Sequence, residues 1–156
     1  MQDNEKYNIL YVDDEQDNIL VFKSAFRRHY NVFTATSGRE GMQLLAKNNV
    51  SIIITDQRMP QMTGVEFLQS LPDQPENMRM ILSGYSDMKD IVEAINIGKI
   101  FRYVSKPWSF EELKKTIDES ITELERRRDV LKRLDELDAE NKNLKIKMNE
   151  LQNARI

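Results

Sequence analysis

Five times along the chain a short apolar run gives way to an amphipathic segment, and that alternation leaves few folds open. "YNILYVD" (7–13), "NVFTAT" (31–36), "SIIIT" (51–55), "MRMILS" (78–83) and "IFRYVS" (100–105) read as strands. Between them, "EQDNILVFKSAFRRHY" (15–30), "REGMQLLAKN" (39–48), "VEFLQSL" (65–71) and "DMKDIVEAINIG" (87–98) read as helices, the first with Ile19, Phe22 and Phe26 on one side and the last closed by Gly98. A long helix follows Pro107. Strict β-α alternation predicts a doubly wound α/β fold, with a parallel sheet covered by helices on both faces. Strands buried on both sides should be nearly continuous apolar runs, and "NILYV" and "SIIIT" are.

The helix starts agree with this parsing. Ser37–Glu40, Thr63–Glu66 and Ser109–Glu112 each fit the capping box, in which a hydroxyl and a carboxylate satisfy amides of the first helical turn. All three stand where a strand passes into a helix.

Composition narrows the function. With 156 residues, 40% of them hydrophobic, the chain holds one ordinary domain and an appendage. A formal net charge of −3 gives no basis for a nucleic-acid or anionic-membrane partner. The absence of cysteine excludes disulfides, thiol chemistry and cysteine-based zinc sites. No apolar run approaches the roughly 20 residues that span a bilayer, and the polar start "MQDNEKYN" does not suit a signal peptide. A cytoplasmic location is expected. Lone His29, near the end of the first long helix, is expected to face the helix dipole, and the eight methionines to fill core and turns.

In open α/β sheets ligands lie beyond the carboxyl ends of the strands. Polar residues gather there: Asp13 and Asp14 after the first strand, Asp56 after the third, Ser83 at the end of the fourth and Lys106 after the fifth. Three converging carboxylates repel one another and call for a cation, and hard oxygen ligands in that number suit Mg²⁺. Asp14 could also cap the first helix. There is no Gly-rich phosphate loop for a nucleotide. A carboxylate beside a cation, a lysine and a hydroxyl is equipped to accept a phosphoryl group.

The set "VDDE" (12–15), "DQRMPQMTG" (56–64), "LSGY" (82–85) and "YVSKPW" (103–108) resembles the receiver domain of two-component response regulators, over residues 7 to about 122. The resemblance implies a flavodoxin-like (βα)5 fold with strand order 2-1-3-4-5. It implies that Asp56 is the phospho-acceptor and that a histidine kinase or phosphotransfer protein is the donor. Asp13 and Asp14 match the acidic pair that holds Mg²⁺, with Asp14 the direct ligand. Arg58 matches the position that lends a main-chain carbonyl to the ion. Ser83 matches the switch hydroxyl, Tyr103 the aromatic that moves with it, and Lys106 the lysine paired with the acceptor. Arg58 and Tyr85 are bulky at two positions that tune phosphoryl lifetime in the family. A phosphohydrolase with an aspartyl-phosphate intermediate would want a second Asp where Arg58 stands, and a receiver-shaped scaffold would not need the complete acceptor set.

From Phe110 onward nothing breaks a helix, which at 1.5 Å per residue would run about 70 Å. Leu113, Ile117, Ile121 and Leu124 form a stripe suited to packing on the sheet. Farther on the spacing becomes three-four, with Leu134, Asn141 and Met148 at a and Val130, Leu137, Leu144 and Leu151 at d. In a parallel pair Arg133 would meet Asp138 and Glu140 would meet Lys145 of the other chain, so a parallel homodimer is expected. The expected organisation is a polar tail (1–6), a receiver (7–122) and a coiled coil (123–156) that passes the signal to an output domain not visible in the sequence. The "AINIGKIFRYVSKPW" stretch resembles receivers placed before signalling enzymes.

Overall fold

The computed structural model describes residues 6–73, 76–84, 88–97 and 100–155. Its elements are β1 (Asn8–Val12), α1 (Gln16–Phe26), β2 (Asn31–Ala35), α2 (Gly38–Lys47), β3 (Ile52–Asp56), α3 (Gly64–Ser70), β4 (Met78–Ser83), α4 (Met88–Asn96), β5 (Arg102–Ser105) and α5 (Phe110–Asn153). The strands form one parallel sheet in the order β2-β1-β3-β4-β5, as the doubly wound reading requires.

Because successive side chains of a strand point to opposite faces, the sheet divides the core in two. Ile9, Tyr11, Ile52, Ile54, Met78, Met80 and Leu82 join Phe22 and Phe26 of α1 and Leu113, Ile117 and Leu124 of α5 on one face. Leu10, Val12, Ile53 and Ile81 meet Phe67 and Leu68 of α3 and Ile91 and Ala94 of α4 on the other, with Leu44 and Leu45 of α2 packed at its margin. Every residue of β3 is buried, which explains its unbroken apolar run. β4 is buried throughout as well, and its Arg79 is a buried charge. Its guanidinium donates to the carbonyls of Leu68 and Pro72 and to Asn77 Oδ1, so the buried cation ties the end of α3 to the sheet.

Several boundaries move from the sequence reading. The helix expected over 15–30 stops at Phe26, where His29 and Tyr30 both donate their amides to the Phe26 carbonyl and turn the chain into β2. His29 therefore stands beyond the helix rather than in its last turn, with its ring centroid 5.7 Å from that of Phe110. Asp14 does not cap α1. The cap position is Glu15, which makes no side-chain cap bond, and the Glu15 amide goes to Asp13 Oδ1 instead. β3 runs one residue further than expected, to Asp56, which pairs with Leu82. β5 begins at Arg102 rather than at residue 100. Gly98 and Tyr85 lie outside the described residues.

In all three capping boxes the hydroxyl accepts the amide three residues on, at 3.1 Å for Ser37, 3.2 Å for Thr63 and 3.2 Å for Ser109. The return bond differs from the standard box at α2, where Glu40 reaches past the cap to the Thr36 amide and hydroxyl.

Two compact units divide the chain after Leu124. In the first, Leu113, Ile117 and Leu124 of α5 are fully buried and Ile121 is half-buried, as the stripe predicts. The second consists of α5 from Glu125 onward. Along it Val130, Leu134, Leu137, Asn141, Leu144, Met148 and Leu151 are exposed, at alternating spacings of four and three. Arg133 pairs with Glu136 at 3.3 Å and Lys142 with Asp138 at 3.1 Å, both within the helix. Exposed pairs of this kind are worth little, so they leave Arg133 and Asp138 able to exchange partners. No helix among the described residues is long and apolar enough to cross a membrane.

Candidate functional site

Parallel pairing brings the ends of β1, β3, β4 and β5 level: Val12 stands beside Thr55, Asp56 beside Leu82 and Ser83 beside Ser105. The chain leaves each strand there with a polar residue. The result is a compact carboxylate cluster, in which one oxygen each of Asp13, Asp14 and Asp56 lies within 4.8 Å of the others. Asp13 and Asp56 are buried and Asp14 is exposed, so the cluster opens to water on one side only.

Lys106 neutralises part of this charge. Its Nζ lies 2.6 Å from Asp56 Oδ1 and 4.0 Å from Asp13 Oδ2. The backbone fixes the lysine's position, since the Lys106 amide donates to the Ser83 carbonyl at 2.9 Å. Burial pushes the Asp56 carboxyl above the usual range, Lys106 pulls it back by hydrogen bond and charge, and the neighbouring Asp13 charge raises it again. Desolvation dominates the net upward shift.

Asp13 is held from three sides. Tyr11 donates its phenol to Oδ2 at 2.8 Å, Asn18 donates to the same oxygen at 3.1 Å, and the Glu15 amide reaches Oδ1 at 3.0 Å. The Tyr11 ring stacks on Phe22 with centroids 4.1 Å apart and planes 8° from parallel. Phe22 in turn meets the edge of Trp108, two residues after Lys106, at 6.3 Å. One aromatic group thus backs both the acidic pair and the lysine loop.

The turn after Asp56 is shaped by that residue's own backbone. A Cβ at Gly64 would lie 2.3 Å from the Asp56 carbonyl oxygen, so only glycine lets the chain fold back this closely. The Gly64 amide donates to the Gln57 carbonyl at 3.0 Å, and the Gln57 side chain accepts the Val65 amide at 2.9 Å at the start of α3. Between them Gln61 adopts a φ of 70° and Pro60 accepts the Met62 amide at 2.7 Å.

Of the residues singled out from the sequence, Asp13, Asp14, Asp56 and Lys106 come together directly. Ser83 is buried at the end of β4, with its hydroxyl 2.9 Å from the Gly84 carbonyl oxygen. Tyr103 is half-buried on β5 and packs against the cluster that includes Ile81 and Ile91. Arg58 is exposed two residues beyond Asp56. Sequence reasoning passed over Tyr11, Asn18 and Gln57. Only Tyr11 left a trace, as a polar ring in an otherwise aliphatic strand facing the acidic pair.

A profile of the response regulator receiver domain matches residues 9–118. The chain belongs to the response regulator receiver family. The receiver is 37% identical over 114 residues to the hydrogenase transcriptional regulatory protein HoxA of Cupriavidus necator, a stretch covering 72% of this chain and 24% of HoxA. It is 31% identical over 121 residues to the response regulator SaeR of Staphylococcus aureus, covering 76% of this chain and 52% of SaeR. Among solved structures, a signal receiver domain of an HD domain-containing protein from Pseudomonas fluorescens superposes with a TM-score of 0.72 at 31% identity, over 78% of this chain and 98% of that one. An adenylate cyclase structure from Rhodopirellula baltica gives 0.76 at 30% identity, over 81% and 98%. The chain thus spans about a quarter to a half of these curated relatives. Receiver domains are signalling domains rather than classical enzymes, and membership implies phosphoacceptor signalling.

Proposed function

We propose that the receiver accepts a phosphoryl group on Asp56 from a histidine kinase or phosphotransfer protein, in the cytoplasm. The observation that carries this reading is the Asp56–Lys106 contact of 2.6 Å inside a cluster of three carboxylates at the strand ends. A carboxylate oxygen of Asp56 attacks phosphorus, the P–N bond to the donor histidine breaks, and its electron pair stays on the imidazole. Lys106 stabilises the anionic oxygens near the acceptor throughout. Mg²⁺ fits the donor set of Asp13, Asp14, Asp56 and the Arg58 main-chain carbonyl, and supplies positive charge to the transferring group. Exposed Asp14 would be the direct ligand from the acidic pair.

Ser83 then turns its hydroxyl toward the phosphoryl group and Tyr103 moves into the space it leaves. Residues 7–122 act as the receiver and residues 123–156 as a parallel coiled-coil homodimer, seamed by Leu134, Leu137, Asn141, Leu144, Met148 and Leu151, that relays the change to an output domain. The charge balance supports a protein partner over nucleic acid or an anionic membrane.

Incubation with Mg²⁺ and acetyl phosphate, followed by mass spectrometry of the intact protein, tests the acceptor. Wild type should gain one phosphoryl group, and Asp56→Asn, which keeps the shape and loses the nucleophile, should gain none. Equal uptake by the two proteins assigns the chemistry elsewhere. No uptake by either leaves a receiver-shaped scaffold.

A further inference from the structure

Lys106 stands between two carboxylates and bonds only one of them. Its Nζ lies 2.6 Å from Asp56 Oδ1 and 4.0 Å from Asp13 Oδ2, the second distance beyond hydrogen-bond reach. Charge does not explain the choice, because Asp13 is fully buried and a buried carboxylate attracts an ammonium group strongly. Occupancy explains it. A carboxylate oxygen offers about two lone-pair directions. On Asp13 Oδ2 both are taken, by Tyr11 Oη at 2.8 Å and by Asn18 Nδ2 at 3.1 Å. The Glu15 amide on Oδ1, at 3.0 Å, holds the carboxylate in that orientation.

We infer that Tyr11 is a positioning residue: by closing Asp13 Oδ2 it keeps Lys106 on Asp56. For its consequence in phosphoryl transfer, this rests on the acceptor reading above. The phenol is a durable stop, because Tyr11 is 1% exposed and its ring is stacked on Phe22. Asn18 divides its amide between Asp13 and Glu15 Oε2 and is the weaker of the two donors. Tyr11, Asn18 and Lys106 line one cavity, so the space a phenol oxygen would leave is open to the ammonium group. An approach of about 1 Å turns the long Asp13 contact into a hydrogen bond, and the lysine is then shared between two carboxylates. A displacement of that size in a group that stabilises the reacting atoms can slow a reaction by up to about a hundredfold.

Tyr11→Phe keeps the ring and its stacking and removes only the donor. A crystal structure of this variant, grown without metal, should place Lys106 Nζ about 3 Å from Asp13 Oδ2. With saturating Mg²⁺ and acetyl phosphate, its phosphoryl uptake should slow about tenfold, the usual lower figure for losing a hydrogen bond behind an acting residue. Added to Lys106→Met, the same substitution should leave the residual uptake unchanged, because the phenol acts through the lysine. Tyr30→Phe, which loses a phenol bond to Asp118 instead, should lower the melting temperature and keep wild-type uptake. A lysine that stays at its 4.0 Å separation from Asp13 in Tyr11→Phe overturns the inference. So does a Tyr11→Phe effect on uptake that persists without Lys106. A wild type that gains no phosphoryl group overturns the acceptor reading instead, and the lysine's position in Tyr11→Phe then decides this inference alone.

Discussion

At Gly64 one methyl group decides whether the turn behind Asp56 can close. Gly64→Ala puts a carbon against the Asp56 carbonyl oxygen, a backbone atom that cannot rotate away. Overpacking of this kind costs about 1–3 kcal/mol, so the urea midpoint should drop and phosphoryl uptake should slow as Asp56 shifts; a wild-type midpoint would mean that the turn relaxes freely. Asp14 behaves in the opposite way. It is exposed, does not cap α1, and sits in a cluster of like charges. Asp14→Ala should therefore raise stability without Mg²⁺ by up to about 0.5 kcal/mol and abolish most of the further stabilisation that Mg²⁺ gives wild type. Melts with and without the ion check both signs. That Asp13, Asp14, Asp56 and Lys106 would meet was legible in the sequence because parallel pairing puts every strand end on one edge. The supports were not. Tyr11 reaching Asp13, and Gln57 capping a helix eight residues on, are tertiary contacts that no local pattern encodes.

Among the elements, α5 is held by polar bonds as well as by its apolar stripe. Beside its buried leucines and isoleucine, Tyr30 donates its phenol to Asp118 Oδ1 at 2.5 Å, and Lys114 binds Asp118 Oδ2 at 2.6 Å. Burial raises the Tyr30 pKa above its usual 10, and the bond to Asp118 and that residue's charge raise it further. The folded chain thus keeps a proton that the unfolded chain releases near pH 10, so this contribution is complete below that pH and is lost as pH rises through the folded value. Tyr30→Phe should cost about 1.5 kcal/mol at neutral pH and flatten the alkaline fall. Tyr11, raised in the same direction, preserves part of that fall. Denaturant melts from pH 8 to 11 measure both effects, and an unchanged alkaline slope would remove Tyr30 from the account. The order and faces of the elements followed from apolar periodicity. The early end of α1 did not, because the same Tyr30 that continues its helical pattern is turned toward α5 by Asp118.

For the whole molecule, the open question is assembly. An amide at a core a position is satisfied in a parallel, in-register dimer by Asn141 of the other chain. Slipped or antiparallel pairings leave it facing hydrocarbon at about 1–3 kcal/mol for each unsatisfied group. Asn141→Leu should tighten association and admit trimers alongside dimers. Sedimentation equilibrium decides: a wild type that stays monomeric at high concentration removes the seam, and a dimer indifferent to the substitution removes Asn141 from its register. The aromatic backing of the lysine loop has an optical consequence. Trp108 is the chain's one tryptophan, and residues from Glu125 onward contain no tryptophan, tyrosine or phenylalanine. Excited beyond the absorption of tyrosine, intrinsic emission therefore has a single source, 6.3 Å from the phenylalanine on which Tyr11 stacks. The molecule carries its own lamp at the carboxylate edge and is dark from Glu125 onward, so one cuvette experiment can follow events at the edge without a signal arising in that stretch.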